Sequence, residues 1–206
     1  MTRRITQALA AWLAAGETRI GEVVILGRYE VRHHEDSDAG GLALHTAPED
    51  AREIALYDAA GNYRPLKTAP TLRRGWKLRL ATIEQLHEAL DFFYPAMLAA
   101  RFAFQEGRLA VTPLRATLNR QSGMYAVTRK ITDPRADTLI GSFCRTDGGC
   151  LKTILWPIAP GVAVTSMRPE KFNPAPAGNG MPLLCAEACN LLVAKVREAV
   201  KQEGAQ

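Results

Sequence analysis

Hydrophobic spacing at the N-terminus predicts an amphipathic first helix. Apolar side chains recur three or four positions apart, at Ile5, Leu9, Trp12 and Leu13, and polar side chains occupy other positions. The basic start and short apolar core of this stretch are also features of a signal peptide, but the helical spacing favours a helix of the folded domain. We therefore expect a first helix packed on a core, in a cytoplasmic protein.

Short alternating segments follow this helix and predict an antiparallel sheet. Residues 20–34 are rich in valine, isoleucine and tyrosine and contain Gly27, which predicts a strand, a bulge or turn, and a second strand. Residues 41–46 predict a short strand, and residues 53–67 predict a hairpin with a longer loop. Residues 1–75 are therefore expected to form a small α+β unit.

A helical pattern opens the next part of the chain. Thr82 and Gln85 have the spacing of a capping box, which predicts a helix start. Pro95 is expected to kink or divide this helix. The segments 108–117 and 123–132 have the composition of strands.

Two further helices are predicted in the last third of the chain. Asp133 and Pro134 form an N-cap and first-turn pair for a helix that ends near Cys144. Pro182 opens an uninterrupted helical pattern that continues towards the C-terminus. We therefore expect residues 76–206 to form a mixed α/β domain that ends in a long helix, and the fold class to be α+β.

The positive charge of the chain is concentrated in one window. The whole chain has a net charge of +5. Residues 101–130 carry six basic side chains and only one acidic side chain, so this window alone has the same excess. Such a field favours an anionic partner, which could be nucleic acid, a polycarboxylate or an anionic cluster. No apolar run reaches the roughly 18 residues that a membrane span needs.

Four cysteines lie in the last third of the chain, at Cys144, Cys150, Cys185 and Cys189. They are too few for a disulfide scaffold, and in a reducing compartment such thiols are free, catalytic or metal-bound. On the predicted final helix, Cys185 and Cys189 would lie one turn apart on the same face. They would also lie in its first two turns, where the helix dipole favours thiolates.

Three interpretations of this cysteine pattern remain open on spacing alone. The cysteines could be ordinary buried residues, which is common for free thiols. They could bind a structural zinc ion, although neither pair has the short C-x2-C spacing of many such sites. They could also hold a [4Fe–4S] cluster on four thiolates, for which the glycine-containing loop between Cys144 and Cys150 could wrap a bulky centre.

Two resemblances to known families bear on this choice. The C-x5-C and distant C-x3-C spacing is similar to that of sirohaem-dependent sulfite and nitrite reductases, which are much longer enzymes. The segment TLNRQSGMYAVTRK, the C-x5-C loop and the segment PLLCAEACNLL resemble the C-terminal part of long sirohydrochlorin cobaltochelatase-like proteins. That part carries a [4Fe–4S] module beside a small stabilising domain.

The second resemblance implies a cofactor and its ligands. It implies that Cys144, Cys150, Cys185 and Cys189 bind a [4Fe–4S] cluster. It also implies a partition into a stabilising domain at residues 1–75 and a cluster-binding domain at residues 76–206. A separate chelatase domain precedes this part in that family. The 206 residues leave no room for it, so we do not expect chelatase activity to carry over.

The basic window gains an interpretation from the same resemblance. Corrinoid and sirohaem precursors are ringed by carboxylates, which guanidinium groups bind bidentately. Six side chains are candidates for such a pocket: Arg115, Arg120, Gln121, Tyr125, Arg129 and Lys130. A solvated strand face, or arginines that offset the charge of the cluster, would explain the same residues. Nucleic acid is disfavoured, because no recognised binding motif accompanies the charge.

A polar run with metal-binding side chains lies in the N-terminal unit, but a solvated loop is its commoner meaning. Its members are His33, His34, Glu35, Asp36 and Asp38. The three tryptophans are expected to be core residues; they are Trp12, Trp76 and Trp156.

The leading hypothesis is a cytoplasmic [4Fe–4S] protein that transfers single electrons in or beside cobalamin or sirohaem synthesis. Its partners would be a carboxylate-rich tetrapyrrole and a chelatase or reductase, and an edge of the N-terminal sheet could support a homodimer. The alternative is a non-catalytic module in which zinc or a cluster only staples the C-terminal domain together.

Overall fold

The computed structural model describes residues 2–16, 18–36, 40–55, 72–144, 150–162 and 180–203. These residues form the expected mixture of helices and a mixed sheet, and they end in a helix, which confirms the α+β fold class. None of the helices among them is long and apolar enough to cross a membrane.

The helices are α1 (Thr2–Ala14), α2 (Ala51–Ile54), α3 (Ile83–Phe93), α4 (Met97–Gln105), α5 (Leu114–Asn119), α6 (Asp133–Cys144) and α7 (Asn190–Glu203), with 3₁₀ helices at Pro48–Asp50 and Gly123–Lys130. The strands are β1 (Arg19–Ile20), β2 (Val23–Leu26), β3 (Glu30–His33), β4 (Ala43–His45), β5 (Trp76–Arg79), β6 (Thr153–Ile154), β7 (Gly180–Met181) and β8 (Leu184–Cys185).

A six-stranded sheet has the order β4-β5-β3-β2-β1-β7. Its four central strands pair antiparallel, as predicted, and the hairpin of β2 and β3 turns at Gly27, whose φ is +47°. The two edge strands pair parallel to their neighbours. β7 is the more informative of the two, because it brings residues from far along the chain to the edge of the N-terminal sheet.

A first hydrophobic core lies between this sheet and helices α1, α3 and α4. The predicted first helix and the cap of α3 are confirmed: the hydroxyl of Thr82 accepts the backbone N–H of Gln85. Pro95 divides the second predicted helix, since α3 ends at Phe93 and α4 begins at Met97. This core includes strand β5 and helices α3 and α4, all of which follow residue 75. It therefore extends beyond the predicted domain boundary at residue 75, and that boundary stays a prediction.

A second core packs α5, α6 and α7 around the short parallel pair of β6 and β8. Its buried members include Leu118, Ile140, Trp156, Leu192 and Val196. Among the predicted core tryptophans, Trp12 and Trp76 lie in the first core and Trp156 in the second.

Two predicted strands are wrong. Residues 114–119 form α5, and residues 123–130 form a 3₁₀ helix. Gly123 begins the latter with a φ of +54°, and the segment then packs against α7, so a tertiary contact overrides the strand propensity of its tyrosine, valine and threonine. The predicted hairpin at 53–67 is also wrong at its start, because residues 53 and 54 lie in α2. Residues 56–71 lie outside the described part of the chain.

The final helix begins at Asn190 rather than at Pro182. Backbone hydrogen bonds to other segments hold the intervening residues out of the helix. The N–H of Thr153 donates to the carbonyl of Leu183 (2.7 Å), and the N–H of Thr112 donates to that of Ala186 (2.9 Å). Cys185 and Cys189 therefore do not share a helical face, and that prediction is wrong.

Candidate cluster-binding site

The first cysteine pair flanks the junction between α6 and β6. Cys144 is the last residue of α6 and is 7% exposed in the second core. Cys150 lies three residues before β6, and its sulfur accepts the backbone N–H of Lys152 at 3.5 Å. The loop between them, residues 145–149, lies outside the described part of the chain.

The second pair flanks a short connection between a strand and a helix. Cys185 is in β8, opposite Ile154 of β6. Cys189 immediately precedes α7, and its carbonyl accepts the N–H of Val193 (3.1 Å) in the first helical turn. Both cysteines pack against the core that contains Cys144. Cys189 thus lies at the N-terminus of a helix, although the predicted helix began too early.

The thiols of Cys150, Cys185 and Cys189 act on one another electrostatically. Burial raises the pKa of Cys150 to about 11, and the neighbouring sulfurs of Cys185 and Cys189 act in the same direction, whereas the N–H and the cation of Lys152 oppose the rise. Like charges would raise one another's pKa only at short range. Cys150, Cys185 and Cys189 therefore lie within electrostatic range of one another.

Two hydrogen bonds and a cation surround the sulfur of Cys185. The indole Nε1–H of Trp156 donates to this sulfur at 3.3 Å, and the thiol donates to the carbonyl of Glu187 at 3.2 Å. Burial raises the pKa of Cys185, while the Trp156 bond and the charge of Lys152 favour the thiolate. Burial thus favours the neutral thiols of Cys150 and Cys185, whereas N–H donors and the cation of Lys152 favour their thiolates.

These features fit a thiolate-ligated centre. An all-sulfur donor set suits iron–sulfur clusters or zinc, and hydrogen bonds to sulfur are part of the usual surroundings of such centres. An iron ion would replace the thiol proton and supply the charge that makes a buried thiolate stable. Among the described residues, no three His, Cys, Asp or Glu side chains are grouped so as to hold a single metal ion.

Comparisons with known families separate the chain into two parts. Residues 5–105 match the family model of the DR2241 stabilising domain, and residues 106–198 match that of the 4Fe-4S iron-sulfur cluster binding domain. The chain joins these two domains. All four cysteines lie within the cluster-binding domain, and a [4Fe–4S] cluster is therefore its cofactor.

A solved structure has the same fold over nearly the whole chain. It is the crystal structure of DR2241 from Deinococcus radiodurans, described as a multi-domain protein with structural similarity to chelatases and with two additional novel domains. The two sequences are 32% identical, the TM-score is 0.75, and the match covers 98% of this chain but 42% of DR2241. The chain thus spans less than half the length of that protein. A search of curated proteins finds no match.

Two of the predicted anion-binding arginines are engaged inside the cluster-binding domain. Arg115 pairs with Asp133 and also donates to the carbonyl of Ile131 at 2.6 Å. Arg120 pairs with Glu187, which lies between Cys185 and Cys189. Both arginines therefore form ion pairs with carboxylates of the protein itself.

The other predicted residues lie around a cleft beside α7. Gln121 and Tyr125 line this cleft of about 280 Å³ together with Asn190 and Val193. Arg129 donates to the carbonyl of Gln121 at 2.5 Å, and Lys130 is exposed nearby in sequence. The guanidinium group of Arg197 lies 5.1 Å above the ring of Tyr125. Gln121, Tyr125 and Arg129 of the predicted set are therefore close to one another. Val193, which also lines the cleft, lies about one helical turn after Cys189.

Sequence reasoning missed the roles of Trp156 and Glu187. The signal for Trp156 is its position two residues beyond Ile154, the last residue of β6 and the register partner of Cys185. That signal depends on the pairing of β6 with β8, which no local pattern indicates.

The polar run of the stabilising domain is mostly structural in its described part. His33 is 1% exposed in β3, stacks on the ring of His34, and has its Nε2 3.8 Å from the carboxylate of Glu22. Asp36 accepts the N–H of Gly75 at 2.9 Å. Asp38 lies outside the described residues.

Proposed function

We propose that Cys144, Cys150, Cys185 and Cys189 ligate the [4Fe–4S] cluster and that the chain is a cytoplasmic one-electron redox component of cobalamin or sirohaem synthesis. The observation that carries this proposal is that Cys144, Cys185 and Cys189 share one core, in which β6, three residues after Cys150, pairs with β8, while N–H donors reach the sulfurs of Cys150 and Cys185. A bound cluster supplies reversible one-electron transfer, and its potential depends on such hydrogen bonds and on solvent exposure.

The surroundings of the sulfurs favour a redox role. Trp156 and the backbone of Lys152 donate hydrogen bonds that stabilise added negative charge. The cation of Lys152 acts on both Cys150 and Cys185 in the same sense. Each of these features lowers the free energy of the reduced state relative to the oxidised state.

A tetrapyrrole partner is proposed from two observations. The first is that DR2241 is described as having structural similarity to chelatases, and that this chain covers 42% of that protein. We therefore include a chelatase or reductase as the protein partner in the proposal. The cleft lined by Gln121 and Tyr125, with Arg129 close to it, offers an aromatic face and a guanidinium group beside the site. Carboxylate side arms of a tetrapyrrole suit that chemistry. A homodimer stays a prediction.

A structural staple is the second candidate. The cysteines lie at the end of α6, before β6, in β8 and before α7, so a shared centre would tie four segments of one small core together. Small domains often gain a large part of their stability from such a centre.

A redox titration separates the two candidates. Anaerobically purified protein is titrated with dithionite and ferricyanide while visible absorption and EPR are recorded. The redox proposal predicts full, reversible one-electron cycling with an unchanged iron content. A centre that cannot be reduced, or that is lost on reduction, would leave the staple as the better account.

The tetrapyrrole proposal has its own test, a titration of the loaded protein with sirohydrochlorin. Arg129→Ala should weaken binding, and Arg135→Ala, an exposed arginine of α6 paired with Glu203, serves as the matched control. Equal binding by both variants and the wild type, or no binding by any of them, would remove the cleft as the tetrapyrrole site.

A further inference from the structure

The indole of Trp156 is fixed by its packing and by backbone hydrogen bonds of its neighbours. The side chain is 2% exposed in the second core. The N–H of Leu155 donates to the carbonyl of Cys185 at 3.0 Å, and the carbonyl of Pro157 accepts the N–H of Leu114 at 2.9 Å. The backbone on both sides of Trp156 is therefore held, and the indole has little freedom to swing away.

This fixed indole has a single polar atom, and that atom is directed at a cysteine sulfur. Nε1–H of Trp156 donates to Sγ of Cys185 at 3.3 Å. A buried tryptophan normally directs this group to an oxygen, as Trp76 does in the stabilising domain, where Nε1–H donates to the carbonyl of Arg73 at 2.7 Å. The use of a sulfur acceptor makes the bond sensitive to the charge on that sulfur.

We propose that Trp156 is a positioning residue that raises the reduction potential of the cluster through its hydrogen bond to Cys185. The proposal rests on the proposed function, in that it needs Cys185 to be an iron ligand. Reduction adds one electron, supplied by an external one-electron donor, and part of the added negative charge resides on the thiolate sulfurs. An N–H donor stabilises that charge, so the bond is stronger in the reduced state.

The size of the effect follows from the strength of one hydrogen bond. One hydrogen bond of ordinary strength would change the equilibrium constant for reduction about twofold to tenfold. For a one-electron couple this corresponds to about 20 to 60 mV. Removal of the N–H should shift the potential to more negative values by this amount.

The test compares reduction potentials of loaded proteins. Trp156→Phe removes the N–H together with part of the ring. Replacement of Trp156 by β-(3-benzothienyl)alanine removes only the N–H, because a sulfur atom takes its place in a ring of nearly the same shape. Trp76→Phe is the matched control, since it also removes a buried indole hydrogen bond, but in the other core.

The expected result is wild-type iron and sulfide content in all variants, with a more negative potential in both position 156 variants only. Resonance Raman spectra of these two should also show a changed Fe–S(Cys) stretching frequency. A benzothienylalanine variant with a full cluster and the wild-type potential would overturn the role of Trp156 and leave the proposed function intact. A wild-type protein that takes up no cluster would instead overturn the proposed function, and this inference with it.

Discussion

Ile154 and Cys185 are register partners in the two-stranded parallel sheet of β6 and β8. This pairing ties the chain that follows Cys150 to the strand that carries Cys185. It also brings Trp156, two residues after Ile154, close enough for its indole to reach the sulfur of Cys185. The site is thus assembled by a non-local strand pair, and its two halves are otherwise far apart in sequence.

Removal of one hydrogen bond from this sheet should therefore disrupt the site. In Leu155→Pro the donor to the carbonyl of Cys185 is absent, and proline also restricts the strand backbone. We expect iron content per chain to fall by more than half after anaerobic reconstitution. Leu155→Ala keeps the N–H and should bind iron nearly as well as the wild type, so equal losses in both variants would contradict the role of the pairing.

Serine at position 185 should abolish normal cluster binding. Cys185→Ser removes one of the four proposed thiolate ligands of the cluster. Iron and sulfide analysis should show a loss of the cluster, and thermal unfolding should show a less stable cluster-binding domain. Ser142→Ala, an exposed change on α6, is the control. A full complement of iron and sulfide in Cys185→Ser would show that the ligand assignment is wrong.

The stabilising domain should be sensitive to alanine at Gly21. This residue has a φ of +56°, and a Cβ there would lie 2.8 Å from Cζ of Tyr94, whose hydroxyl accepts the N–H of Glu22. Gly21→Ala should lower the free energy of unfolding by about 3 kcal/mol, from the strained backbone and the overpacked core. Gly27 also has a positive φ but has open space around it, so Gly27→Ala should cost only about 1 kcal/mol.

Urea unfolding measures both changes. A similar loss in the two variants would mean that the contact with Tyr94 contributes nothing beyond backbone strain.

The apoprotein should show an unusually unreactive thiol at Cys150. Its pKa is raised to about 11 by burial, and only the thiolate is alkylated. Because the pKa is raised, the thiolate fraction is small at pH 8 and grows about tenfold for each pH unit. Mass spectrometry after iodoacetamide treatment should therefore show that the alkylation rate of Cys150 still rises steeply from about pH 8.5 to about pH 10. This range lies above the ordinary cysteine pKa of about 8.5.

Glutathione in the same reaction is the reference. Its rate should begin to level off in this range, and a rate for Cys150 that levels off with it would contradict the raised pKa.

Local sequence signals predicted the helices that have their own caps and apolar faces. The first helix, the cap at Thr82 and the break at Pro95 all follow from neighbouring residues, and all are confirmed. The same reasoning failed for residues 182–189, where helical spacing is present but backbone groups bond to β6 and to Thr112 instead. Hydrogen bonds between distant segments are invisible to a local pattern.

The candidate site divides in the same way. The four cysteines were visible from their spacing and from a family resemblance. The charges of Arg115 and Arg120 were also visible, but not their pairing with Asp133 and Glu187, which depends on how α5 packs. The donor from Trp156 could be found only after β6 and β8 were paired.

The most direct test of the account is the metal and sulfide content of the protein purified without oxygen, combined with Mössbauer spectroscopy. The account predicts a brown protein with about four irons and about four sulfides per chain and the spectrum of a [4Fe–4S] cluster. A colourless protein that holds about one zinc ion per chain would contradict it.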